Sequence, residues 1–445
     1  MAVDVIPECH KARLKETREF SHNDYTYTDS FLRKEPILGT ITMNVRQIMK
    51  ALLLLSLAMF HITAAAQPAS VMQALGKGWA NFDMRLRHEG VEQLNSLEDA
   101  TGLTLRTRLT YRTGKYKNFF GLFEFEDSRQ VIDDFSVPAT GFNPGMYSTI
   151  ADPENTGVDQ AYIQYGKSNM KITVGRQRIA HDSHRFVGDV GWRQDRQTFD
   201  AATLKYSVSK DIQVNYSYVQ KRNRIFAEEA DVASLDHLFN ASMKTNMGKL
   251  VGYAYLLELD DDTVNALDTY GVSFHGTTRL DSLGKLSYGA EYATQESTTS
   301  GEFSAVYMMA EASAVINKMT AKVTYEVLGS DMGTYGFATP LATLHKFNGW
   351  ADTFLITPDQ GLVDISGSLS GRFQKGRWTA AYHIFSADEP TDTIDDFGTE
   401  INVQYIYDFD KNASVGVKYA DYAAGDPATG KVDTTKVWVW GQMRF

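Results

Sequence analysis

The sequence has 445 residues, a formal net charge of −11 and one cysteine. The acidic balance argues against a nucleic-acid partner, because neutralising phosphates needs a basic face. Tyr (23), Phe (24) and Gly (34) are abundant and Pro (10) is scarce, which suits a sheet-rich chain, and the length suits one large closed barrel.

Residues 1–42 are mixed and charged, without clear periodicity, and hold the cysteine, Cys9. The pattern changes at residues 43–66. Arg46 and Lys50 precede a largely apolar run at 51–60, and Ala64, Ala65 and Ala66 place small residues before Gln67. This is the three-part pattern of a secretory signal peptide. The run is too short to span a bilayer, which takes about 20 residues. Cleavage is expected before Gln67. Residues 1–42 are expected to be an extension from a start site placed too early, with translation beginning at Met43 or Met49. The mature chain, 67–445, then has no thiol for disulfides, thiolate metal sites or thiol catalysis.

From Trp79 onward the chain alternates in polarity. Ala80, Phe82, Met84 and Leu86 share one face; Asn81, Asp83, Arg85, Arg87 and Glu89 share the other. Leu103, Leu105, Leu109 and Tyr111 then oppose Thr104, Arg106, Arg108, Thr110 and Arg112. Ile212, Val214, Tyr216 and Tyr218 oppose Gln213, Asn215 and Ser217. Val403, Tyr405, Val415, Val417 and Tyr419 continue the rule, and Val437, Val439, Met443 and Phe445 carry an apolar face to the last residue. A period of two marks strands with one apolar and one polar face.

A soluble sandwich also alternates. Three features favour a membrane barrel. About eighteen strands can be counted, each near the 9–11 residues that cross a bilayer. Tyr111, Tyr165, Tyr206, Tyr218, Tyr405 and Tyr407 recur where an aromatic girdle would sit. Short turns, such as Thr113-Gly114-Lys115 and Asn317-Lys318, alternate with long connections at 132–156, 180–196, 222–235 and 330–361. The expected fold is all-β: a transmembrane antiparallel β-barrel with long outer loops and short periplasmic turns.

Two segments carry a resemblance. One runs Gly175-Arg176-Gln177-Arg178-Ile179, then Arg185-Phe186-Val187-Gly188-Asp189-Val190-Gly191-Trp192-Arg193-Gln194 and Gln197-Thr198-Phe199-Asp200-Ala201. The other runs Phe337-Ala338-Thr339-Pro340-Leu341-Ala342-Thr343-Leu344-His345-Lys346-Phe347-Asn348-Gly349-Trp350-Ala351-Asp352. Both resemble the alginate export family, over most of the chain from Trp79 to Phe445. The resemblance implies a channel embedded in outer-membrane lipid, with an anionic oligo- or polysaccharide and periplasmic export components as partners. It does not specify alginate.

The residues fit such a channel. Arg85, Arg87, Arg106, Arg108 and Arg112 fall on the polar face of consecutive strands, and Arg176, Arg178, Arg193 and Arg196 flank the 180–196 loop. A guanidinium stays charged and matches a carboxylate bidentately, so a ladder of them offers successive weak anion sites. The competing reading pairs these arginines with Asp83, Glu89, Glu124, Glu126 and Asp200 inside the lumen. His345 and Asp352 invite acid–base chemistry. The loop, however, offers no serine elbow, no metal-spaced histidines and no paired carboxylates of clear role. The loop holding His345, Lys346, Trp350 and Asp352 therefore reads as a plug or lid. Asp260, Asp261 and Asp262 read as a solvated acidic tip, with calcium as the alternative. The expected function is a passive channel, without cofactor or catalysis, for an anionic polysaccharide or small anionic solutes. A general porin, or an enzyme or adhesin on a barrel, is the alternative.

Overall fold

A computed structural model describes residues 68–261, 263–280, 284–299 and 301–445. The expected signal peptide and the extension ahead of it lie outside the described residues, as does Asp262. The first element is a short helix that alternation could not announce, α1 (Val71–Gly76). The Ser70 hydroxyl caps it by accepting from the Gln73 amide at 3.2 Å. The Tyr111 hydroxyl donates to the Leu75 carbonyl, fastening the helix to the barrel.

Eighteen strands follow. They are β1 (Trp79–Gln93), β2 (Ala100–Arg112), β3 (Phe119–Asp134), β4 (Asn155–Lys167), β5 (Met170–Gln177) and β6 (Thr198–Ser207). Next come β7 (Ile212–Asn223), β8 (Val232–Lys244), β9 (Gly248–Leu257), β10 (Leu267–Leu280), β11 (Gly284–Ser297) and β12 (Phe303–Ile316). The last are β13 (Met319–Leu328), β14 (Leu362–Phe373), β15 (Gly376–Ser386), β16 (Asp396–Asp408), β17 (Ala413–Ala423) and β18 (Thr434–Arg444).

Each strand pairs antiparallel with its sequence neighbour, and β18 returns to β1 with Met84 opposite Met443 and His88 opposite Val439. Phe445 completes the seam: its amide donates to the Phe82 carbonyl at 2.9 Å, and the Phe82 amide donates back at 3.0 Å. Closure leaves no sheet edge, the condition for strands to lie in lipid.

The expected facing is observed. Leu86, Val214, Val417 and Val439 are exposed on the outer wall, whereas Arg85, Arg87, Ser217 and Lys418 are buried inside. The short turns lie at the barrel end that holds the start of β1 and the end of β18, which is the periplasmic end of an outer-membrane barrel. The long connections lie at the opposite, outer end.

The inner wall is less uniformly polar than alternation suggested. Tyr253, Tyr255, Tyr307, Phe385, Tyr422, Trp438 and Trp440 all point inward and are buried. They pack on Val187, Phe337, Leu341 and Phe354, residues of the two longest inward connections. A hydrophobic core therefore occupies part of the barrel interior. A second, smaller cluster of Val91, Ala100, Phe135, Val137 and Ile150 seats the β3–β4 loop on β1 and β2.

Candidate functional site

Loop A (178–197, between β5 and β6) and loop B (329–361, between β13 and β14) carry the two resembling segments. They fold inward and meet. The Gly188 amide donates to the Leu341 carbonyl at 2.8 Å, and the Thr343 amide to the His184 carbonyl at 3.0 Å. Glycine is required at the crossing, because a Cβ on Gly188 would stand 2.2 Å from Thr343 Oγ1. Gly349 has a similar role. Its φ is +85°, and an added Cβ would lie 2.1 Å from Glu400 Oε2. The missing side chain lets Glu400 accept from the amides of Trp350 and Ala351. Val190, a β-branched residue at φ 48°, and Asp352, at φ 62°, are further left-handed positions in these loops. Such strain persists only where surrounding contacts fix it.

The arginines hold loop A to the wall. Arg85 donates through Nε to Gln194 at 2.9 Å and through Nη2 to the carbonyls of Trp192 and Arg193 at 2.8 and 2.6 Å. Arg87 pairs with Asp152 of the β3–β4 loop and also reaches the Trp192 carbonyl. Arg106 pairs with Asp83, and Arg108 pairs with Glu126 while donating to the Gln194 carbonyl at 3.0 Å. Arg112 lies 3.9 Å over the Phe120 ring. Arg176 grips Asp200 through two bonds, at 2.8 and 3.1 Å. Arg196 pairs with Glu124 and Asp159. Arg193 joins Glu89 at 2.9 Å to Asp352 at 2.8 Å, bridging wall, loop A and loop B. Arg178 pairs with Asp189, yet its side chain is 47% exposed, the most open of the set.

Loop B is anchored around His345. Its ring stacks on Trp192, with centroids 4.8 Å apart. Nδ1 lies 2.7 Å from Asp352 Oδ1, and Nε2 lies 2.8 Å from Lys418 Nζ. That geometry suits a neutral imidazole which donates to the carboxylate and accepts from the ammonium. Burial drives the His345 pKa down to about 3, with the Lys418 and Arg193 cations adding to the effect. Burial opposes ionisation of Asp352, but His345, Lys436 and Arg193 outweigh it and hold the carboxyl well below its usual range. Lys418 sits 4.1 Å from the ring centroids of both Trp192 and Trp350, in a cation–π cage. Lys346 donates to the Ser183 carbonyl of loop A at 2.7 Å. Among the described residues, no three or more His, Cys, Asp or Glu are arranged to hold a metal ion.

Open space remains beside the loops. One cleft of about 260 Å³ runs along the inner wall of β5–β9, bordered by Arg178, Lys205, Asn215 and Lys249. A second, of about 380 Å³, is bordered by Asp83, Arg178, Asp189 and Arg444. Arg178 borders both.

Lysines missed by the sequence reading stand at the periplasmic rim of that wall. Lys171 is directly opposite Lys205, and Lys244 directly opposite Lys249. Lys249 pairs with Asp182 of loop A at 2.8 Å, whereas Lys171, Lys205 and Lys244 have no carboxylate in ion-pair range among the described residues. Like charges facing each other across a ladder are destabilising. The sequence did hold a signal: each of these lysines falls within three residues of a short turn and on the polar parity of its strand.

Residues 83–318 match the family described as alginate export. Among curated proteins, none matches this sequence. Solved structures share the fold. Acinetobacter baumannii OccAB4 is 11% identical, with 83% of this chain and 98% of that one covered at a TM-score of 0.64. Pseudomonas aeruginosa OccK9 (OpdG) is 12% identical, with 84% and 100% covered at 0.64. Pseudomonas aeruginosa OpdK, crystallised with vanillate, is 11% identical, with 82% and 98% covered at 0.63. At such identities the likeness is one of fold.

Proposed function

The chain belongs to the alginate export family, and from that premise we propose that this outer-membrane β-barrel channel passes small anionic solutes. The two facing lysine pairs at the periplasmic rim carry the reading. They cost the sheet stability and give the pore a positive field, which a low-dielectric wall around a narrow water column strengthens. Successive weak sites let a solute enter and leave. The outer arginines have another part in this account. Arg85, Arg87, Arg108, Arg193 and Arg196 are buried and position loop A, Arg106 is held on the wall by Asp83, and the half-open Arg178 faces the solute path. His345, Lys346, Trp350 and Asp352 hold loop B as a plug. With both loops docked, clefts of a few hundred Å³ favour a monomeric acid over a polysaccharide.

Liposome flux assays test the size and charge of the cargo together. Glucuronate is expected to enter faster than glucose, and alginate oligomers are expected to stay out. Equal rates for glucose and glucuronate would favour a general porin, and oligomer flux matching that of the monomer would favour polymer export.

A further inference from the structure

A third cleft, of about 320 Å³, opens at the outer end between loop B, the β3–β4 loop and the β17–β18 connection (424–433). Its lining mixes apolar and charged residues. Ala151, Leu355 and Val432 supply apolar surface. Lys431, Lys436, Arg193 and Asp352 supply charge, and Gln93 and Thr434 are uncharged polar members of the lining.

The cations there differ in how they are balanced. Arg193 divides itself between Glu89 and Asp352, and Lys436 shares the same Asp352 at 3.2 Å. Arg193 and Lys436 are thus both paired, with Asp352 common to the two. Lys431 has no carboxylate within ion-pair distance among the described residues. Its Nζ donates only to the Thr353 carbonyl, at 3.2 Å, and lies 5.4 Å from the Phe354 ring centroid. Burial lowers its pKa from the ordinary lysine value, the mark of a cation partly withdrawn from water without a counter-ion.

We propose that this outer cleft is a docking site for a small monocarboxylate with an apolar body. The carboxylate rests on Lys431 and Lys436, and the body lies against Leu355, Val432 and Ala151. The volume sets the size class. Roughly ten water volumes fit, enough for a single ring or a short branched chain and too little for a disaccharide. The single vacant counter-ion position at Lys431 sets the charge class, since a dicarboxylate would press its second group on Asp352. Lys436 gives the site a consequence as well. A carboxylate that draws Lys436 from Asp352 loosens one of the contacts holding loop B, so docking and loop opening are coupled. The proposal depends on the channel reading only in placing this cleft at the outer end of the solute path.

Isothermal titration of the purified full barrel in detergent tests the site without reference to ion selectivity. Benzoate is the probe, and benzyl alcohol is its neutral counterpart. One benzoate is expected to bind per barrel, with benzyl alcohol at least about tenfold weaker, as befits loss of a charge-assisted contact. Lys431→Gln is expected to weaken benzoate about tenfold, and Lys431→Arg to restore it. Restoration by Lys431→Arg separates lost charge from lost folding. Wild-type benzoate affinity in Lys431→Gln, or equal binding of benzyl alcohol, would overturn the proposal. Benzoate binding lost in Lys431→Gln in a channel without anion preference would uphold the site while removing the function proposed above.

Discussion

Arg106 and Arg108 are positive on a lumen-facing strand, but their charges are spent locally on Asp83 and Glu126. Sequence parity located the face of each arginine. Whether its charge reaches water depends on partners far off in sequence, 109 residues for Arg85 and Gln194 and 159 for Arg193 and Asp352, which parity cannot show. Removing one member of a buried pair strands the other, at about 3–5 kcal/mol. Arg108→Ser is therefore expected to lower the unfolding temperature in detergent and leave the reversal potential nearly unchanged. A large selectivity change in a barrel of wild-type stability would count against this assignment. His345 gives a pH dependence with a definite sign. Released from the docked loop, its pKa returns towards 6.5, against about 3 in place. The undocked state then binds the proton more readily, so docking is fully stable above about pH 6.5 and weakens as pH falls from there towards 3. Asp352, depressed below its ordinary 3.8, adds its own loss only at more acid pH. Protease cleavage of loop B is expected to rise between pH 7.5 and pH 5, and His345→Gln is expected to flatten that profile. A flat wild-type profile would mean that His345 does not bear on docking.

The strands were legible because their pattern is local. Alternation fixes facing, and turn signals such as Thr113-Gly114-Lys115 and Asn317-Lys318 fall between strands. α1 was not legible, since six residues give no period to read. Loops A and B were legible as long connections and as motifs, but their meeting at Gly188 and Thr343 joins positions far apart in the sequence. The inward aromatics were missed for a related reason. A Trp such as Trp438 on the polar parity looks like a girdle residue displaced by one, until the loop that covers it is known. Facing has a direct test. Val439 is 51% exposed, near the middle of β18, so Val439→Arg is expected to cost about 2–4 kcal/mol of folding free energy. Gln404→Arg, on the lumen parity of β16, is expected to cost far less. Equal folding yields for the two variants would contradict the facing. Gly349→Ala meets both a left-handed φ and Glu400, so loop B is expected to undock, read as raised open-channel noise with normal barrel assembly.

Taken as one body, the barrel divides its charges by purpose. Buried cations such as Arg85, Arg108 and Arg193 hold loops across the lumen, and among the described residues the periplasmic rim leaves Lys171, Lys205 and Lys244 without carboxylate partners. The overall net charge of −11 conceals this division, because selectivity follows local placement. The central claim, that these rim lysines give the pore its anion preference, is open to one direct measurement. The reversal potential is recorded in a salt gradient across planar bilayers, for the wild-type channel and for the Lys171→Gln, Lys205→Gln, Lys244→Gln triple variant. Among the described residues these lysines have no ion pair to break, so the variant is expected to fold as well as wild type. Its reversal potential is expected to shift towards cation preference. A triple variant that folds normally and keeps the wild-type reversal potential would contradict the account.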